Sequence, residues 1–103
     1  MVEKIKIEFQ HFKGCPNGQL LLNNLKEAIA GYSDITAIQE VLVETPELAV
    51  EYKFRGSPTI LINGKDLEDM PEPDNPGLAC RVYSNGIPSS QFISQKLKEE
   101  IKS

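Results

Sequence analysis

The sequence predicts an α/β fold in which a four-stranded mixed sheet is flanked by three helices, with an insertion before the last helix. Three observations predict it. The chain opens on a segment of period-two apolar residues, Val41-Leu42-Val43 is a β-branched run suited to a buried parallel strand, and Asn63-Gly64 joins two extended segments as a hairpin.

The elements follow in order. From Lys4 to Phe9, Ile5, Ile7 and Phe9 face one way and Lys6 and Glu8 the other, the period of a strand with one better-covered face. Lys13-Gly14-Cys15-Pro16 turns into a helix, since proline suits the first helical position and Leu21, Leu25, Ala28 and Ile29 recur at helical spacing up to Gly31. A second strand is expected over Gln39–Glu44. Thr45-Pro46-Glu47 supplies a cap, a first-turn proline and an acid for a short helix from Pro46 to about Phe54, with Leu48, Ala49 and Tyr52 inward.

The hairpin pairs Thr59-Ile60-Leu61-Ile62 with Lys65-Asp66-Leu67-Glu68. The proline-rich, acidic stretch from Met70 reads as a loop reaching Ile87, with Leu78–Tyr83 as an extended piece inside it. Ser89 or Ser90 caps a final amphipathic helix burying Phe92, Ile93, Leu97 and Ile101.

At 103 residues, 40% hydrophobic and 25% charged, the chain is expected to be one folded domain spanning 1–103. A net charge of −4 gives no general attraction to phosphate backbones or anionic lipid, so no nucleic-acid partner is expected. No apolar run approaches the length of a membrane span, and the opening residues lack the apolar core of a signal peptide. The expectation is no membrane association and a cytoplasmic location. Two cysteines, Cys15 and Cys80, are too few for a secreted disulfide framework and, without clustered histidines, for a tetrahedral zinc site. No metal and no cofactor is therefore expected, and the two thiols carry whatever chemistry there is.

Two segments in this order resemble the thioredoxin and glutaredoxin superfamily. One is the cysteine-proline pair at a strand-to-helix turn, Phe12-Lys13-Gly14-Cys15-Pro16-Asn17-Gly18. The other runs from Glu47 through Gly56-Ser57-Pro58-Thr59 to Lys65 and is similar to the family's helix, cis-proline loop and hairpin. The resemblance implies a thioredoxin-like fold, a nucleophilic thiol at Cys15, a cis bond at Ser57-Pro58 beside it, and a Ser57 backbone free to pair with an extended peptide or thiol substrate. It implies a protein or small-molecule disulfide as the substrate.

The sequence departs from the family where a second cysteine would release the mixed disulfide, because that position is Gly18. The Cys15-Pro16-Asn17-Gly18 loop is not that of the iron-sulfur monothiol relatives, and the residues that hold glutathione before the last helix are absent. The hairpin returns the chain to the end of the sheet where Cys15 is expected, so the insertion begins over the site, and it carries Cys80. Cys80 is thus the candidate resolving thiol, with inert burial in the core and a shared soft-metal site as alternatives.

The helix amino terminus should favour the Cys15 thiolate near neutral pH. His11 and Lys13 are candidate electrostatic helpers, or solvated loop residues. Arg81 is either a thiolate partner or a surface cation paired with the acidic loop. Glu8 lies near where thioredoxins keep a buried acid, but reads as a residue of the weakly covered face. Three functions stand: a thiol-disulfide oxidoreductase using Cys15 and Cys80, a module holding copper(I) or mercury(II) between thiolates, and a redox-inactive adaptor. The substrate, the electron donor and the oligomeric state are not legible.

Overall fold

A computed structural model describes residues 4–83 and 85–102. Among these, four strands and three helices form an α/β fold with a mixed sheet. Strand β1 (Ile5–His11) is followed by helix α1 (Asn17–Ile29), β2 (Thr36–Leu42), α2 (Pro46–Glu51), the hairpin β3 (Thr59–Ile62) and β4 (Lys65–Asp66), and α3 (Ser90–Lys102). The strand order is β2-β1-β3-β4, with β1 parallel to β2 and antiparallel to β3.

The apolar alternation of β1 puts Ile5, Ile7 and Phe9 on the face covered by α1 and α3, where they meet Leu21, Leu25, Ile60, Ile62, Ile93 and Leu97. A second cluster of Val41, Val43, Ala49 and Phe54 joins the end of β2 to α2. The Thr45 hydroxyl caps α2 by accepting from the Leu48 N–H at 3.1 Å, and the Ser89 hydroxyl accepts from the Phe92 N–H at 3.1 Å to cap α3. No helix among the described residues is long and apolar enough to cross a membrane.

Several boundaries differ from expectation. β2 starts earlier, at Thr36, and is not the buried strand its valines suggest. It is an edge strand, exposed from Ala37 to Glu40, so only one side of it is paired. α2 stops at Glu51 because the chain adopts a left-handed conformation at Lys53, φ 50°. β4 keeps only two residues, because the Asp66 carboxylate takes the Glu68 and Met70 N–H groups into a turn. On α3, Ile93 and Leu97 are buried and Phe92 half-buried, whereas Ile101 in the last turn is exposed.

Candidate active site

The strand-to-helix turn after β1 brings Cys15 to the loop before β3. There the Ser57–Pro58 peptide is cis, and Ser57 is wholly buried. The Cys15 thiol donates to the Ser57 carbonyl at 3.3 Å, and the Phe12 N–H donates to the Ser57 hydroxyl at 3.2 Å, so Ser57 holds both ends of the turn. Cys15 is half-buried.

The Ser57 backbone is not free, which corrects the expectation of an open pairing edge. Its N–H donates to the Ala79 carbonyl at 2.8 Å, and its carbonyl accepts from the Arg81 N–H at 2.7 Å, making a parallel bridge across Cys80. The insertion itself thus occupies the place where an extended partner would pair. Gly56 permits this approach. A β-carbon there would lie 3.0 Å from the Arg81 β-carbon and 3.3 Å from the Ala79 carbonyl, and its φ of +108° disfavours any other residue.

Cys80 is exposed, not core filler, and both cysteines are free thiols. The two lie near enough to interact. Hydrogen bonding with Cys15, then partial loss of hydration, then the charge of Cys15 push the Cys80 thiol up. At neutral pH Cys80 therefore keeps its proton.

Arg81 is neither a thiolate partner nor a surface cation. Burial alternates along the segment. Arg81 and Tyr83 are buried while Cys80 and Val82 face solvent. The Arg81 guanidinium grips Asp66 with both ends, at 2.6 and 2.9 Å, and donates to the Thr59 hydroxyl at 3.2 Å. Its carbon centre stands 4.4 Å from the Tyr83 ring centroid, and the Tyr83 hydroxyl donates to the Pro58 carbonyl at 2.6 Å. Burial alone would raise the Asp66 carboxyl, but bonds from Arg81 and from the Met70 and Glu68 N–H groups together hold it below its ordinary range. This network is a strap that fixes the backbone on both sides of Cys80 against the Pro58 loop.

The remaining candidates contribute less. His11 ends β1 with its Nε2 2.7 Å from a Glu40 carboxylate oxygen and its ring edge-on to Phe9, so its partner is an acid of β2. Its Nδ1 faces Gly18, 3.7 Å from where a β-carbon would stand. Lys13 is exposed, and among the described residues it joins no ion pair. Glu8 is half-buried and accepts from the Gln10 amide, whose own oxygen is buried with no partner among the described residues.

Asp66, Thr59 and Tyr83 were not singled out by sequence reasoning. For Tyr83 the one signal is the alternation of Cys80, Arg81, Val82 and Tyr83, which in an extended segment sends the arginine and tyrosine to the same side, and for Asp66 and Thr59 there is none. No group of three or more histidine, cysteine, aspartate or glutamate side chains suited to a metal occurs among the described residues. No protein-family model matches the chain and no curated protein matches it, so the reading of the site rests on its own residues.

Proposed function

We propose that the protein is a small thiol-disulfide oxidoreductase of thioredoxin-like fold, with Cys15 as nucleophile and Cys80 as resolving thiol. The observation that carries the reading is that Ser57 holds both cysteines, its carbonyl accepting the Cys15 thiol while its backbone bridges Cys80. The Cys15 thiolate attacks one sulfur of a disulfide, forms a mixed disulfide, and expels the other half as a thiolate. Cys80 then loses its proton and attacks the Cys15 sulfur. The Cys15–Cys80 disulfide forms, the bound half leaves as a second thiolate, and two electrons have passed from the protein to the substrate. An external dithiol returns them.

In the reduced chain the Cys80 thiol is pushed above its ordinary value. Hydrogen bonding to Cys15 and the charge of Cys15 are among the causes, and both change once Cys15 is capped by substrate. Capping of Cys15 therefore lets the Cys80 thiol fall back toward its ordinary value as its attack falls due.

Mild oxidation followed by mass measurement tests the reading. The intact chain is expected to lose two hydrogens by forming one internal bridge. Cys80→Ser is expected to abolish the bridge and accumulate a disulfide adduct at Cys15. Retention of one soft metal ion per reduced chain without disulfide exchange would overturn the reading in favour of a metal-holding module, and an unreactive Cys15 would favour an adaptor.

A further inference from the structure

We infer that two copies of the chain pair antiparallel along their β2 strands, joining their sheets into one. The backbone gives the first support. The Ile5 N–H donates to the Ile35 carbonyl and the Val43 N–H to the His11 carbonyl, so the odd-numbered residues of β2 turn their backbone groups toward β1. Thr36, Ile38, Glu40 and Leu42 turn theirs to the open side. Among the described residues none of these N–H and C=O groups has a partner.

The second support is that β2 lacks the devices that keep an edge single. Thr36–Leu42 holds no lysine, proline or glycine, and its register with β1 runs without a bulge. Its one charged residue, Glu40, is already tied within its own chain, 2.7 Å from His11 Nε2. On the same face as Glu40, Ile38 and Leu42 are left 43% and 41% exposed. Such an edge is hazardous unless something pairs with it.

Self-complementarity assigns the occupant. Two-fold antiparallel pairing about Gln39 sets Thr36 against the partner's Leu42 and Ile38 against the partner's Glu40, so every outward residue of both strands finds a hydrogen-bonding opposite. Moving the axis to Ile38 leaves Leu42 without one. Moving it to Glu40 leaves Thr36 without one and sets two carboxylates face to face. About Gln39 no like charges are opposed, and Ile38 and Leu42 of the two copies meet along one diagonal stripe. On the other face the two Gln39 amides meet on the axis, where each can donate to and accept from the other. The order β2-β1-β3-β4 puts this joint on the side of β1 away from β3 and the Ser57 loop that precedes it.

Sedimentation equilibrium of the reduced full chain over a concentration series up to ~1 mM is expected to give twice the chain mass, with dissociation in the micromolar range. Ile38→Pro removes an outward N–H and no bond to β1, so it is expected to weaken the dimer by about tenfold or more while the far-ultraviolet circular dichroism stays unchanged. The register is read independently, in chains carrying Cys15→Ser and Cys80→Ser. Gln39→Cys is expected to cross-link into a disulfide dimer on mild oxidation, because a non-hydrogen-bonded antiparallel pair brings its α-carbons to about 4.5 Å. Glu40→Cys, facing the partner's Ile38, is expected to cross-link at least about tenfold more slowly. A monomer throughout the series overturns the inference, even one that takes an unrelated strand on β2. So does an undiminished dimer in folded Ile38→Pro, or cross-linking no faster at 39 than at 40.

Discussion

Ser57 and Cys80 face each other across a parallel bridge in which Ser57 N–H donates to the Ala79 carbonyl and Ser57 C=O accepts from the Arg81 N–H. The same carbonyl accepts the Cys15 thiol. One residue thereby sets the height of both sulfurs. Whatever moves the strap, or the turn opposite it, moves Cys80 relative to Cys15.

The Asp66–Arg81 pair is almost fully buried, with side chains 1% and 6% exposed. Arg81→Met leaves the carboxylate inside without its cation, so a loss of about 3–5 kcal/mol is expected, read from the urea midpoint at neutral pH. Bridge formation between Cys15 and Cys80 should slow in parallel under conditions where the variant remains folded.

Acid should act through the same carboxyl. Asp66 is held below its ordinary value of 3.8 in the folded chain, so it favours folding above that value. The contribution is lost as pH falls from there through the lower folded value. A plot of unfolding free energy against pH is expected to fall less steeply in that window for Asp66→Asn than for the unaltered chain.

Burial lifts the Tyr83 phenol well above its ordinary value of 10, with Arg81 opposing and the Asp66 and Glu68 carboxylates adding to the rise. The unfolded chain ionises first, so stability present below pH 10 is lost as pH rises beyond it. Phenolate absorbance should show a portion that appears only on unfolding, and Tyr83→Phe should remove that portion. The same variant leaves the Pro58 carbonyl without its donor and is expected to cost about 1–3 kcal/mol.

Gly56→Ala places a methyl group 3.0 Å from the Arg81 β-carbon at a φ of +108°. Backbone strain alone costs of order 1–3 kcal/mol, and the strap must also lift. A lower melting temperature together with slower internal bridge formation is expected. A variant that loses melting temperature while keeping the bridging rate would show that Gly56 does not hold Cys80 in place.

Gly18 is buried in the first turn of α1, yet a β-carbon there meets only His11 Nδ1 at 3.7 Å, an ordinary contact. Gly18→Cys is therefore expected to fold, with a gain of up to about 1 kcal/mol from replacing a helical glycine. In Gly18→Cys combined with Cys80→Ser, peptide mapping after oxidation should find Cys15 bridged to the introduced thiol in place of the lost bridge.

The sequence made the elements legible because each has a local cause: alternation in β1, the Thr45-Pro46 start of α2, and Asn63-Gly64 between β3 and β4. The level of the insertion over the Cys15 end was also legible, since an antiparallel return fixes it. What escaped depends on pairs distant in sequence. Nothing local says that Arg81 will find Asp66, or that the 79–81 backbone will close on Ser57. The edge position of β2 was hidden for the same reason, because Val41 and Val43 report their packing on Ala49 and Phe54 and not the open side of Thr36–Glu40.

The amides of Ser57 and Arg81 each point into the other's segment, so neither reaches solvent until the two segments separate. Their hydrogen exchange should thus be slow and governed by one common event, although Arg81 lies in a stretch without regular helix or ladder. Ala79 to Tyr83 behaves thermodynamically as a fifth rung of the architecture.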